Sequence, residues 1–556
     1  MKLFARPLVS ATLLSLAAAC SGTSNTLPPP TGDVPATQDT PATPDVTGQD
    51  TPATPDTPAT PDATADRPAT PDGGMMGAGT AITTFLGDPG RTGANRAETR
   101  LTPASVRAGF GRVAAFAPTL QGETYGQPLY VPQVSVMGAT RDALFVATEG
   151  NNVYALDADT GAELWRTNLG PTVSRSVQMC GNINTLGVTS TPVIDLASRT
   201  LYAVSFVNQG GIGFKLNALD LATGAQRSGY PAAISPPMSN GSSFDARVTG
   251  QRGALAFRDG KVYVPFGGLY GDCGIYHGWV VSVTASNPTE QTSFATPGRG
   301  SGIWAPGGLA MDGAGRIFVA TGNSTPLGGH TPGSLGEFVL RLATGPGGAT
   351  FAMDDMAAQF SPSDARTLDL QDLDIGSVSP VVLPGTPGRV VQGGKAGTIY
   401  LLDADDLGGG TPVASQRVCS GGIFGAMGAW SGGSDTYVFV PARGTRSGCS
   451  GSNGVMALRV AGGSTLSTAW CTASITGAAP PVVSSNGDND AILWVAGAST
   501  GTGGSPALRA YEVSTGMEIY ANTEAPPSVR QWVPPVVADG RVYVTGVSTI
   551  SLYRTR

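Results

Sequence analysis

The sequence predicts an all-β fold, an eight-bladed β-propeller with four strands per blade, and three observations carry that expectation. Charged residues make up only 13% of the 556, against 79 glycines and 43 prolines, a profile of short strands and tight turns. A strand start, most often a proline followed by apolar residues, recurs eight times. The seven steps from Pro128 to Pro535 give a mean period of about 58 residues, a spacing that signals repeated strand units.

The starts are "GQPLYV" at 126–131, "TSTPVI" at 189–194, "QRGALAF" at 251–257, "APGGLAM" at 305–311, "VSPVVL" at 378–383, "FGAMGAW" at 424–430, "AAPPVV" at 478–483 and "WVPPVV" at 532–537. Each is followed by a second strand of period-two alternation, such as "ALFVAT" at 143–148, "KVYVPF" at 261–266 and "RVYVTG" at 541–546. A third strand follows at a matching offset, as in "NVYALD", "KLNALD", "TIYLLD" and "ISLYR". One such unit cannot bury both its faces, so neighbouring units must supply the core, and 81–556 reads as one wheel. No outer strand follows "ISLYR" before Arg556, so a segment within 112–120 is expected to complete the last blade and hide its edge.

The remaining chain divides into a leader and a tether. Lys2 and Arg6 precede an apolar run from Leu8 to Ala19, and small residues lead directly into Cys20. Residues 1–19 thus resemble the signal peptide of bacterial lipoproteins, and the resemblance implies lipidation of Cys20; an ordinary secretory signal is the alternative. Ser21 after the cysteine implies the outer membrane. Residues 20–80 are dominated by "TPATPD" variants, too poor in apolar groups to fold, and read as a disordered Pro/Thr/Asp-rich tether. A net charge of −7 and the lack of a basic stripe argue against a nucleic-acid partner. With only His277 and His330, a multi-histidine metal site is excluded.

The stretch "ALDADTGAELW" at 155–165 explains one corner of the wheel. Its aspartate and threonine satisfy turn amides, its glycine accepts positive φ, and Trp165 is expected to pack between blades. It resembles the repeat of the quinoprotein-dehydrogenase propellers, A-x-D-x-x-T-G-x-x-x-W, and recurs as "ALDLATGAQR" at 218–227 and "AYEVSTGMEI" at 510–519. "GRTGANRAETRLTP", "GVTSTPVID", "YHGWVV", "ATGN", "DLDIGSVSPVVLP" and "GGKAGTIYLLD" occur in that order. Together they are similar to a bacterial family of secreted quinoprotein-like propellers.

In quinoprotein dehydrogenases the quinone lies on the propeller axis. By strand order, the loops leading into each blade share a face with the turns between second and third strands. That face collects Tyr125, Gln127, Glu149, Asn182, Arg252, His277, Trp304, Asn323, Asp374, Lys395 and Trp532. The resemblance implies that Lys395 in "KAGTIYLLD" meets a quinone oxygen, with Arg252, Asn182 and Trp304 as further cofactor contacts. Asp374 and His277 are the candidate acid or base groups, and Asp372 with Asp374 offers oxygen ligands to calcium. The plainer readings are a solvated turn lysine, loop carboxylates that accept amides, and a hydrogen-bonded structural histidine. Two features of the dehydrogenases are missing: no two cysteines are adjacent, and no motif matches their Glu-Asn-Asp calcium set.

Five cysteines follow Cys20. An exported chain permits disulfides, and the strand count places Cys180 beside Cys273 and Cys419 beside Cys449, leaving Cys471 free; five packed thiols are the alternative. Two functions follow. The first is a non-catalytic binding or scaffold module for an envelope protein or glycan, held to the membrane by its lipid and needing no cofactor. The second is a periplasmic dehydrogenase of an alcohol or sugar that uses pyrroloquinoline quinone (PQQ) and calcium.

Overall fold

The computed structural model describes residues 79–385, 388–497, 508–522 and 529–556. The leader, Cys20 and nearly all of the tether lie outside them. Its strands form eight sheets, each an antiparallel up-and-down blade of four principal strands. Blade 1 runs Leu129–Val136, Ala139–Ala147, Asn152–Asp157 and Glu163–Asn168, from the axis outward. Each of the eight strand starts read from the sequence leads the inner strand of one blade. The inner strands of blades 2 to 8 begin at Val193, Ala256, Ala310, Val381, Gly428, Val482 and Val536. No helix among the described residues is long and apolar enough to cross a membrane.

The Asp-Thr-Gly corner works as its chemistry requires. Asp157 Oδ1 accepts the amides of Asp159 and Thr160 and the Thr160 hydroxyl, and Gly161 turns the chain at φ +73°. Trp165 then reaches across to the next blade, where its indole donates to Leu221 O at 3.0 Å and its ring covers Gly224. Trp470 repeats the contact between blades 6 and 7, donating to Val513 O at 2.8 Å over Gly516. The motif thus cements neighbouring blades.

Closure uses the N-terminal side of the chain, from a segment slightly earlier than expected. The outer strand of blade 8 is Phe110–Arg112, paired antiparallel with Tyr553–Thr555, and it follows a short helix at Pro103–Gly109. Within 112–120, Val113 continues the pairing and Thr119 bridges Thr549.

The axis holds a feature that strand counting does not suggest. Residues 82–95 run among the inner strands and hydrogen-bond to every blade in turn. Ile82 pairs with Tyr130 of blade 1, Thr83 O accepts Ile194 N of blade 2, and Thr84 donates to Leu255 O of blade 3. Pro89 O and Gly90 O take the amides of Met311 and Val382, in blades 4 and 5. Thr92 O and Gly93 O take those of Ala429 and Val483, in blades 6 and 7. Asn95 Nδ2 donates to Val537 O of blade 8 at 3.1 Å. At the hub the fully buried Arg91 gives hydrogen bonds to Leu309 O, Phe85 O and Leu255 O.

Both disulfides lie on the face of the leading loops, but one pairing corrects the sequence reading. Cys180 and Cys273 are bonded across blades 2 and 3, with Cα atoms 6.0 Å apart. Cys449 is bonded to Cys471 and not to Cys419. The outer strand of blade 6, Thr465–Cys471, ends beside the turn that carries Cys449. Cys419 instead points inward, buried in the core between blades 5 and 6, where burial pushes its thiol pKa up.

Candidate functional site

Blade 5 builds the centre of the site. Its leading loop passes through a helix at Ala365–Leu370 and places Asp374, which is fully buried, just before a single turn at Ile375–Ser377. The turn between its second and third strands carries Lys395, whose amide donates to Asp374 O at 3.1 Å. The Lys395 ammonium lies 2.6 Å from Asp374 Oδ1 and 2.7 Å from Asp372 Oδ1. Trp304, from the loop leading into blade 4, donates its indole N–H to Asp374 Oδ2 at 2.9 Å. The same ring lies under the ammonium, with Nζ 5.6 Å from its centroid. Gly322 completes the floor, where a Cβ would stand 2.7 Å from Asp374 Oδ2, so no side chain fits.

The electrostatics of this centre follow from burial. Desolvation raises the Asp374 carboxyl, opposed by the Lys395 charge and the Trp304 indole. Burial works against the Lys395 ammonium too, but Asp374 and Asp372 outweigh it and the lysine stays protonated. Glu337, fully buried, accepts Ile375 N at 2.9 Å. Desolvation, then the Asp374 charge, push it up to about 9, so it is a neutral acid at pH 7.

A second cluster occupies the same face on blades 1, 3 and 8. Glu149 accepts Gly187 N at 2.6 Å, and burial pushes its carboxyl up to about 7 against the pull of that amide, Thr189 and Arg252. Arg252 is held by long contacts to Tyr125 O and Thr189 O, both 3.4 Å, and burial lowers it to about 10. Glu149 Oε1 and Arg252 Nη2 are buried with no hydrogen-bond partner among the described residues. Arg530 stacks on Tyr125, 4.2 Å from the ring centroid, and Arg443 stacks on Phe424 at 4.3 Å.

Of the residues expected from sequence, Asp374, Lys395 and Trp304 form one contact cluster, and Arg252 belongs to the second. Asn182 is exposed on the loop leading into blade 2. His277 is buried, with Nδ1 2.9–3.0 Å from Gly298 O and Thr296 O and 3.3 Å from the Ser242 hydroxyl. None of the hydrogen bonds of the described residues joins it to Asp374 or Lys395. Sequence reasoning passed over Glu337 and Arg530. The signal was positional: Glu337 stands in the second-to-third-strand turn of blade 4, the counterpart of the blade 5 turn that carries Lys395, and Arg530 two residues before Trp532.

Fixed cations (Arg252, Lys395), flat aromatic faces and orphaned buried donors suit a planar polycarboxylate such as a quinone. Calcium is a different matter. Among the described residues no three His, Cys, Asp or Glu side chains come close enough to hold a metal ion, and Asp374 and Asp372 are paired with Lys395 instead.

Comparison with known proteins agrees with this architecture. A family model described as outer membrane protein assembly factor BamB, a PQQ-repeat model, matches residues 109–183 and 125–239. A polyvinylalcohol dehydrogenase of a Pseudomonas species is 28% identical over 347 residues, 60% of this chain and 52% of that one. The chain thus spans about half the length of that curated relative. The quinohemoprotein alcohol dehydrogenase from Comamonas testosteroni superposes with a TM-score of 0.59 at 14% identity, covering 86% of this chain and 80% of the other. A europium-containing methanol dehydrogenase does so at 0.58 and 12% identity, covering 85% and 98%. The chain has the eight-bladed propeller fold of the quinoprotein dehydrogenases, and part of it is similar in sequence to a PQQ-repeat family model.

Proposed function

We propose that the propeller is a quinone-dependent oxidoreductase that acts on an alcohol. The observation that carries this reading is the buried Asp374, held between the Lys395 ammonium and the Trp304 indole on the face where the leading loops converge. Bound there, PQQ would supply the two-electron acceptor for oxidation of the alcohol carbon. Lys395 and Arg252 would hold its anionic groups, and Trp304 would offer a flat surface. Asp374 takes the hydroxyl proton of the substrate; burial raises its carboxyl, and the neighbouring ammonium opposes that rise and favours the ionised form. Glu337, neutral at pH 7, adds no second negative charge beside it. The polyvinylalcohol dehydrogenase relative supports an alcohol as the substrate class.

The test is direct binding of PQQ to the purified chain, with and without calcium. Submicromolar affinity that disappears in Lys395→Ala is expected. Absence of binding even at millimolar calcium would overturn the assignment. That outcome would favour the other reading, a non-catalytic scaffold for an envelope protein or glycan, which the matched assembly-factor model supports.

For either activity we place the protein at the bacterial outer membrane, anchored through a lipid on Cys20, on the strength of the leader and the cysteine that follows it. Cys20→Ser should move the protein from the membrane to the soluble fraction. A variant that still sediments with membranes after a high-salt wash would rule the lipid out as its anchor.

A further inference from the structure

One cation on the face of the leading loops stands without a counter-charge. The Lys395 ammonium meets Asp374 and Asp372, and Arg530 meets Glu123 Oε2 at 2.8 Å. Arg443 pairs with no carboxylate among the described residues, although it is half-buried and burial works against its charge. It lies near the end of the second strand of blade 6, Asp435–Thr445. There its amide donates to Gly422 O at 3.1 Å and its carbonyl accepts Gly421 N at 2.8 Å. The guanidinium stands 4.3 Å from the centroid of Phe424 and 6.0 Å from that of Trp532.

Around Arg443 the fold leaves a narrow cleft walled by Phe424, Pro441, Asn453, Ile475 and Trp532, from blades 6 to 8. Its polar side chains offer donors. Trp532 Nε1 is buried with no acceptor among the described residues. Asn453 Oδ1 accepts Gly444 N at 2.9 Å, and its Nδ2 donates to none of the described residues. No side chain lining the cleft is acidic. Trp532 holds its place in the left-handed region at φ +68°, which is costly for a bulky residue, and packs over Gly425. Gly425 N donates to Ser377 O at 2.9 Å, in the turn after Asp374. A fixed fork of charge, further donors and apolar walls fit an organic carboxylate. One guanidinium balances one negative charge, and the apolar walls favour an organic body over a hydrated inorganic anion.

We propose that this cleft is a binding site for a small organic acid, whose carboxylate pairs with Arg443 while its apolar body lies against Phe424 and Trp532. The site needs no quinone and does not rest on the oxidoreductase reading. Calorimetric titration of the full chain with benzoate tests it. Wild type should bind benzoate, and benzamide, of the same shape but uncharged, at least about tenfold more weakly. Arg443→Gln should lower benzoate affinity at least about tenfold and melt like wild type, because the guanidinium holds no described residue in place. Arg443→Lys keeps the charge and should lose less; Trp532→Phe keeps a ring without the N–H and should weaken binding a few-fold. No benzoate binding by wild type at about 10 mM, or equal binding of benzamide, or undiminished binding by Arg443→Gln, would overturn the site. The carboxylates of PQQ are the competing occupant, and titrating Arg443→Gln with PQQ separates the two. Unchanged PQQ affinity is expected; a fall as large as that for benzoate would overturn the separate site and give Arg443 to the quinone. Failure of wild type to bind PQQ with benzoate binding intact would count against the oxidoreductase and not against this cleft.

Discussion

Glu149 shows how one side chain couples the site to the stability of the whole chain. Its carboxyl titrates near 4.5 when unfolded and, desolvated beside Gly187, near 7 when folded. Between those values the folded chain keeps a proton that the unfolded chain has released, so stability falls as pH rises through that window and levels off above it. The separation corresponds to roughly 3 kcal/mol. Glu149→Gln keeps an acceptor for Gly187 and removes the titration. The variant should gain on wild type in melting temperature from about pH 4.5 to 7 and hold a constant lead beyond; a lead that does not change with pH would show that Glu149 is not the titrating group. Glu337 titrates over a wider window in both proteins and cancels in the difference. On the oxidoreductase reading proposed above, Asp374→Asn should abolish alcohol oxidation by the quinone-loaded protein while leaving quinone affinity within a few-fold.

Among the elements, the seams between blades are the sensitive places. A Cβ on Gly224 would stand 2.6 Å from the Trp165 ring, and the backbone there is left-handed at φ +71°. Gly224→Ala combines about 1–2 kcal/mol of left-handed strain with about 1–3 kcal/mol of overpacking. A lowered melting midpoint of that order in urea would locate the seam; an unchanged midpoint would mean that the blades slide to accommodate a methyl group. The disulfide of blade 6 makes a covalent version of the same point. Peptide mapping without reduction should recover Cys449 linked to Cys471, with Cys419 alkylated only after unfolding. Recovery of a Cys419–Cys449 peptide would contradict the described turn. Loss of the bond through Cys471→Ser should cost about 2–4 kcal/mol.

On the scale of the whole molecule, the strand at 110–112 and the axial segment hold the wheel shut in different ways. The outer strand closes the ring at its rim by covering the last blade edge. The axial segment ties all the inner strands to one hub, where Arg91 occupies carbonyls from blades 3 and 4 and from its own loop. Arg91→Met fits the volume but strands those acceptors, and a cost of about 3–5 kcal/mol is expected. Deleting 79–98 should lower the melting temperature of the entire propeller, whereas deleting 21–75, too polar to contribute a core, should leave it unchanged. Equal melting of the two deletions would show that the hub bears no load.

The local pattern was enough to determine the number of blades, the order of their strands and the turn chemistry. Each depends on neighbours a few residues apart: alternation of period two, Asp and Thr capping amides, glycine at positive φ. The same reasoning placed Asp374, Lys395, Trp304 and Arg252 on one face, because strand direction alone decides which turns share it. What the pattern could not supply was distance across the ring. That Lys395 meets Asp374 and not open water, and that Cys449 finds Cys471 before Cys419, depends on where strand ends stop in space. Residues 82–95 exchanging hydrogen bonds with each blade is the extreme case. Their partners are spread over more than 400 positions of sequence, from Tyr130 to Val537, so no local periodicity encodes them; only closure of the wheel brings those inner strands around a common axis.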